Sequence, residues 1–327
     1  MGASRSINLI GGRGYTGSEL LRLIAVHPDM DLSVASSRSH AGQNINTSCD
    51  DWPDDGKTFI CLEPAEIAAY PADAWVLALP NGLALQWVGA IRHQFPESVI
   101  LDLSADYRFD PDWTYGLAER FRDQIRNTQL IANPGCYATG SQLGLLPLVD
   151  RLVSAPVIFG VSGYSGAGRT PSPRNDPEVL RDNLIPYALS GHMHEKEISH
   201  QLNIGVRFMP HVAAFFRGIS LTIAFELNNV ITVDELEKLF QQTYAGEAGV
   251  RVTKEIPQVS AVRDTPEVHI GGFNIDERNP ANGCLVVVLD NLLKGAASQA
   301  LQNLNLALGL EEYAGFNYCV EKDHNEE

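Results

Sequence analysis

Cys136 stands in Asn133-Pro134-Gly135-Cys136-Tyr137, directly after the apolar run Leu130–Ala132 and ahead of Ser141–Leu146, a stretch with helical character. A cysteine at a helix start feels the positive end of the helix dipole, which favours thiolate over thiol. An ordinary thiol of pKa about 8.5 is only a few per cent ionised at neutral pH, and each unit of depression gains up to about tenfold. The Pro-Gly turn would present the sulfur, although the same position also suits a small core residue at a strand end. Covalent chemistry at a thiol needs a proton carrier and a place for an anion. His192 and His194, in His192-Met193-His194-Glu195-Lys196-Glu197-Ile198, offer the carrier. They do not make the H-E-x-x-H zinc pattern, because Ile198 occupies the second histidine's place, and no metal is expected. Ser162-Gly163-Tyr164-Ser165-Gly166-Ala167-Gly168-Arg169 has the small residues and the arginine of an anion nest, or of a plain flexible loop. Arg108 and Arg217 are further cations that an anionic substrate could use.

A second chemistry is written at the N-terminus. Gly11-Gly12-Arg13-Gly14-Tyr15-Thr16-Gly17 follows an apolar strand and opens a helix, the context in which backbone N–H groups receive a pyrophosphate. The spacing is G-x-x-G-x-x-G, and a tight turn without a ligand is the alternative. An NAD-binding chain usually places an acid at the end of the second strand for the ribose hydroxyls. Here that end reads Ala35-Ser36-Ser37-Arg38, and hydroxyls with a guanidinium suit the 2′-phosphate of NADP(H).

The elements that must hold these residues alternate. Ile7–Gly11 is a short apolar strand and Leu32–Ser36 a second strand, and Trp75–Leu79 and Val99–Leu103 continue the series as apolar runs of the kind buried on both faces of a parallel sheet. Ser18–His27 and Gly89–Phe95 supply helices between them, so the first half is expected to be a Rossmann-type doubly wound α/β sheet. From about residue 156 the texture changes. Gly218–Leu227 alternates apolar and polar residues, Thr232 and Glu235 form a capping box, and Glu267–Asp276 and Cys284–Asp290 look like further strands. This half is expected to be an α+β domain with a mostly antiparallel sheet and helices on one face. Thr170–Pro177 is a loop, and Leu292–Leu308 a closing helix.

Composition narrows the setting. A chain of 327 residues favours two domains. The five cysteines, at 49, 61, 136, 284 and 319, are odd in number and lack a Cys-x-x-Cys pair, which argues against a disulfide framework. A net charge of -16 repels nucleic acid, and no apolar run approaches the ~18 residues of a membrane span. A cytoplasmic enzyme is expected, and the acidic tail Glu321–Glu327 reads as a solubility feature.

Taken in chain order, the motifs resemble the N-acetyl-gamma-glutamyl-phosphate reductase family (type 1) and, more distantly, aspartate-semialdehyde dehydrogenase. The resemblance runs through Gly11–Gly17, Asp102–Arg108 (D-L-S-A-D-Y-R), Asn133–Tyr137, Ser162–Arg169 and His192–Ile198. It continues through Phe208–His211, Arg217–Ile219 and Asp290–Ala297 (D-N-L-L-K-G-A-A), and so covers nearly the whole chain. It implies an NADPH-dependent reduction of an acyl phosphate to a semialdehyde in arginine biosynthesis, with release of inorganic phosphate. Relatives acting on aspartyl phosphate, or on another N-acylated or carrier-bound acyl phosphate, are the alternative. Cys136 would form a thioester and His194 would move the protons. Arg108, Ser162, Ser165, Gly166, Arg169, His192, Glu197 and Arg217 would hold or orient substrate groups. Gly11, Arg13, Gly14, Tyr15, Thr16, Gly17, Ser36, Arg38, Asn81 and Asn291 would contact the cofactor. Arg13, Asn81 in Pro80-Asn81-Gly82, and Ser298 depart from the family's usual residues. The implied organisation is an NADP-binding domain of 1–135 and 291–327, with 136–290 as the catalytic and oligomerisation domain of a homodimer or homotetramer.

Overall fold

The computed structural model describes residues 4–316, so Cys319 and the acidic tail lie outside the described residues. The first half is built on β1 (Arg5–Ile10), β2 (Met30–Ser36), β3 (Ala74–Leu77), β4 (Val99–Asp102), β5 (Thr114–Tyr115) and β6 (Leu130–Ala132), with α1 (Tyr15–Ala25), α2 (Ala84–Gln94) and α3 (Ala118–Arg126) between them. The strands form one six-stranded sheet in the order β2-β1-β3-β4-β6-β5, every pairing parallel. All four residues of β3 and of β4 are buried, which is why these segments read as unbroken apolar runs. The chain leaves β1 for β2 on one side and returns as β3 on the other. The loop after β1 therefore opens at a topological switch point, where such sheets bind ligands.

The second half contains α4 (Cys136–Leu145), β7 (Val157–Gly163), α5 (Pro177–Leu180), β8 (Leu184–Pro186), α6 (Met193–Leu202), β9 (Arg207–Ala213) and β10 (Ile219–Glu226). It continues with α7 (Val233–Thr243), β11 (Val250–Val252), α8 (Val259–Val262), β12 (Val268–Ile275) and β13 (Asn282–Leu289). Its seven strands run β11-β12-β13-β10-β7-β9-β8. The sheet is mixed: β7–β9 and β11–β12 pair in parallel, because each pair is joined by a crossover long enough to return the chain in the same direction. The β10 alternation places Ile219, Leu221, Ile223 and Phe225 in the core. Residues of α4, α6 and α7 cover that face, whereas Thr222 and Ala224 on the other are exposed. The capping box of Thr232 and Glu235 starts α7.

Two connections join the halves at the candidate nucleophile. The chain passes from β6 through Asn133-Pro134-Gly135 straight into α4, whose residues Tyr137–Leu145 are all buried. The helix begins at Cys136 itself, earlier than the expected Ser141. Its glycines, which weaken helix propensity, are packing residues: a Cβ on Gly140 would lie 2.8 Å from Leu221 and one on Gly144 2.6 Å from Ile223, so α4 presses onto β10 only without them. After β13 a π-helical turn, Leu293–Ala297, leads into α9 (Ser298–Ala307). There Ala300, Leu301 and Leu304 return to the core of the first sheet beside Leu20, Leu21 and Ile24.

Candidate active site

A cleft of about 790 Å³ runs from the glycine loop to Cys136 and His194. At its first end Gly11 sits at φ +92°, and a Cβ there would lie 2.2 Å from the Ala78 carbonyl oxygen. A Cβ on Gly17 would lie 2.6 Å from the Gly11 oxygen, so these two glycines make the turn and the helix approach possible. Gly14 has a different place: it is the N-cap of α1 and lines the cleft, and its Cβ position meets only Gly11 oxygen, at 3.6 Å. With no side-chain cap and no acid in the first turn of α1, that helix end suits an anion. Tyr15, Thr16 and Arg13 line the same end, Arg13 donating to Ser39 Oγ at 3.3 Å.

The residues expected at the ribose end are redistributed. Ser36 is buried, its Oγ accepting from the Leu62 N–H, and the neighbouring Ser37 faces the cleft instead. Arg38 does line the cleft, but Glu63 holds its guanidinium, with N···O distances of 2.8 to 3.1 Å. Asn81 is turned away: its Oδ1 accepts from the Ala105 N–H at 3.0 Å, tying the Pro80-Asn81-Gly82 turn to the D-L-S-A-D-Y-R loop.

At the other end Cys136 is the first residue of α4, half-buried and open to the cleft. A Cβ on Gly135 would fall 2.2 Å from His194 Nε2 and 2.7 Å from Arg108 Nη1, and one on Gly295 would fall 2.7 Å from the Cys136 Cβ. Two glycines thus let an imidazole, a guanidinium and the π-helical turn close around the thiol. Arg108 donates to the carbonyls of Asn133 (2.9 Å) and Leu103 (3.0 Å) and to Glu197 Oε2 (2.9 Å). Three of its five N–H donors are spent, and the rest remain for a ligand. Glu197 is fully buried and accepts also from the Tyr115 hydroxyl (2.7 Å) and the Gly135 N–H (2.9 Å). It therefore orients Arg108 and the cysteine turn and has no free face for substrate.

Four further expectations change with the packing. Ser162 is buried behind its loop, donating to the Gly163 carbonyl, while Ser165, Gly166 and Arg169 face the cleft. Asn291 spends both ends of its amide, accepting from the Gly218 N–H (2.7 Å) and donating to Ser165 Oγ (2.9 Å), so it fixes the anion-nest loop as well as lining the cleft. Arg217 is a strut: Nη2 donates to Asp290 (3.0 Å) and Nη1 to Glu19 on α1 (2.8 Å), linking the two halves and leaving no fork for a substrate anion. His192 lies behind His194 as the N-cap of α6, its Nδ1 accepting from the His194 N–H. Tyr115, Asn133, Gln142 and Gly295 belong to the site's support and were not read from the sequence. Asn133, at the head of the Asn133–Tyr137 block, and Gly295, inside the D-N-L-L-K-G-A-A block, carried a local signal.

The electrostatics reverse one expectation. Burial pushes the Cys136 thiol up to about 11, a cost that the Tyr137 N–H and Arg108 offset only in part. Burial, then Arg108 and His192, hold His194 well below its ordinary range. The resting pair is therefore thiol and neutral imidazole, because desolvation outweighs the helix dipole. Peptide-resolved alkylation of the ligand-free protein by iodoacetamide should show the Cys136 rate rising about tenfold per pH unit from about pH 8 to 10. A plateau reached by pH 8 would contradict a buried, protonated thiol. Among the described residues no group of His, Cys, Asp or Glu gathers as a metal site, and no helix is long and apolar enough to cross a membrane.

A parallel nucleotide-type sheet feeding a cysteine, with a mixed sheet behind it, defines a semialdehyde dehydrogenase class of protein. The chain matches the semialdehyde dehydrogenase NAD binding domain over residues 6–128 and the dimerisation domain over residues 136–291. The fold is shared with the solved aspartate semialdehyde dehydrogenase II of Vibrio cholerae (TM-score 0.75, 18% identity, 93% of this chain and 98% of that one). It is shared too with aspartate semialdehyde dehydrogenase with NADP from Candida albicans (TM-score 0.67, 15% identity, 92% and 98%). N-acetyl-gamma-glutamyl-phosphate reductase of Stenotrophomonas maltophilia (strain R551-3) is 49% identical over 309 residues, 94% of this chain and 96% of that protein. The chain belongs to the N-acetyl-gamma-glutamyl-phosphate reductase family.

Proposed function

We propose that this protein reduces N-acetyl-gamma-glutamyl phosphate to N-acetylglutamate semialdehyde with NADPH, through a thioester on Cys136, as a cytoplasmic step of arginine biosynthesis. The observation that carries the reading is the gathering of a thiol, a neutral imidazole and a partly unspent arginine at one end of a cleft whose other end is a glycine-loop helix start. His194 takes the thiol proton as the sulfur attacks the acyl carbon, which is the task a neutral imidazole can perform and an imidazolium cannot. Phosphate departs against the free donors of Arg108 and the Ser165–Gly166 loop. NADPH, when bound, supplies the hydride that reduces the thioester carbonyl. His194 then protonates the sulfur as the thiohemiacetal collapses to aldehyde and free thiol.

The cradle fits that cofactor. Gly14 leaves open the space where a side chain would meet a pyrophosphate, and the strand end offers Ser37 and Arg38 without an acid of its own. In this reading residues 1–135 and 291–327 make the NADP-binding unit and 136–290 the catalytic unit. The uncovered face of the second sheet, with Phe159, Thr222 and Ala224 exposed, serves as the packing surface of a homodimer or homotetramer. The test runs the reaction backwards: phosphate-dependent NADP⁺ reduction should favour N-acetylglutamate semialdehyde over aspartate semialdehyde by about 10²-fold or more in kcat/KM. Activity confined to aspartate semialdehyde would overturn the assignment.

A further inference from the structure

The substrate of the proposed reaction carries an anion at each end, a phosphate on the reacting carbonyl and a carboxylate on the α carbon, and the second has no partner in the site described so far. Most cations nearby are committed. Arg217 and Arg38 are held by carboxylates, Arg108 is fixed beside the sulfur, and Arg169 lies over the Tyr15 ring at 4.3 Å, on the nucleotide side. Arg174 is different. It stands on the loop between β7 and α5, exposed and without an ion pair among the described residues, its guanidinium 4.8 Å above the ring of Tyr187.

Tyr187 leads back to the reacting centre. Its ring lies 5.6 Å from His192, and the His192 ring lies 4.9 Å from that of His194. Its hydroxyl is within electrostatic reach of that of Tyr137, the residue after Cys136, whose own hydroxyl donates to the His211 carbonyl. Neither Tyr187 nor His192 lines the cleft itself; with Arg174 they make a row of side chains running outward from His194. The field of Arg174 reaches this wall, adding to the effect of burial in holding His192 low.

We propose that Arg174, seated on Tyr187, is the specificity residue that takes the α-carboxylate of an N-acylated amino-acid semialdehyde or acyl phosphate. A planar guanidinium offers two parallel N–H donors to a carboxylate, and the aromatic ring beneath it keeps that fork oriented. The overall charge of -16 makes an unpaired cation here the local exception that a small anion would seek. The proposal rests on the functional reading above.

Its test compares N-acetylglutamate semialdehyde with 4-acetamidobutanal, the same aldehyde without the carboxylate, in phosphate-dependent NADP⁺ reduction. Arg174→Ala should lower kcat/KM for the carboxylated aldehyde about 10- to 100-fold, mainly through KM, and leave 4-acetamidobutanal unchanged; Arg174→Lys should recover part of the loss. An equal fall with both aldehydes, or no fall with the first, overturns the assignment. Should the wild type prefer aspartate semialdehyde, the functional reading fails. Arg174 is then judged by the same variants on that aldehyde against 3-aminopropanal, so the two failures remain separate.

Discussion

Cys136→Ser should bind NADPH with unchanged affinity and turn over about 10⁴-fold or more slowly than the wild type. The sulfur contributes two things that an oxygen in the same place cannot. A thiol pushed up to about 11 is still within reach of a neutral imidazole as its proton acceptor, whereas an alkyl hydroxyl lies several units further away. The carbonyl of a thioester is also more electrophilic than that of an oxygen ester, so the hydride step would slow as well. Structural damage is not expected to contribute. The substitution changes one atom at the first residue of α4, whose hold on the second sheet comes from Tyr137–Leu145. Fluorescence titration with NADPH and steady-state turnover on the same preparation separate binding from chemistry. Turnover within tenfold of wild type would sink the thioester mechanism.

Glu197→Gln is expected to be the most damaging substitution of similar volume near the site, costing about 3–5 kcal/mol of stability and most of the activity. Glu197 is fully buried and receives three donors: Arg108, the Tyr115 hydroxyl and the Gly135 N–H. An amide can accept on only one atom. Its NH₂ would face a donor whichever way it turned, and the buried Arg108 charge would lose its counter-ion. Because one carboxylate oxygen holds Gly135 and the other holds Arg108, the same change loosens both the cysteine turn and the Arg108 guanidinium. The urea midpoint and turnover should therefore fall together. A variant with a wild-type midpoint would show that the carboxylate is not the keystone of this end of the cleft.

The two halves of the chain were not equally legible. Strands β3 and β4 could be read because strands buried on both faces are written as apolar runs, and α1 by the spacing of Leu20, Leu21 and Ile24, both local signals, whereas α2 begins at Ala84, ahead of the expected Gly89. The start of α4 was obscured by Gly140 and Gly144. Those glycines are there because side chains of β10 and β13 lie within 3 Å of where their Cβ atoms would be, a fact of packing and not of propensity. The parallel pairings β7–β9 and β11–β12 were hidden for a similar reason, since alternation reports which face a residue takes but not the direction of its neighbour.

Within the site, residue types and short spacings by themselves determined the glycine loop, the cysteine at a helix start, the neighbouring histidines and the anion-nest loop. Each of these is a contiguous stretch whose chemistry depends on the backbone around it. Tertiary structure decided what those residues are free to do. It spent Arg217 on Asp290 and Glu19, turned Asn81 and Ser36 away from the cofactor cleft, and made Glu197 a brace. It also pushed the Cys136 thiol up by burial, against a helix dipole that favours thiolate. Ion pairing is settled by residues as far apart as Glu19 and Arg217, and burial by pairs as distant as Leu20 and Leu304, and no local spacing records either.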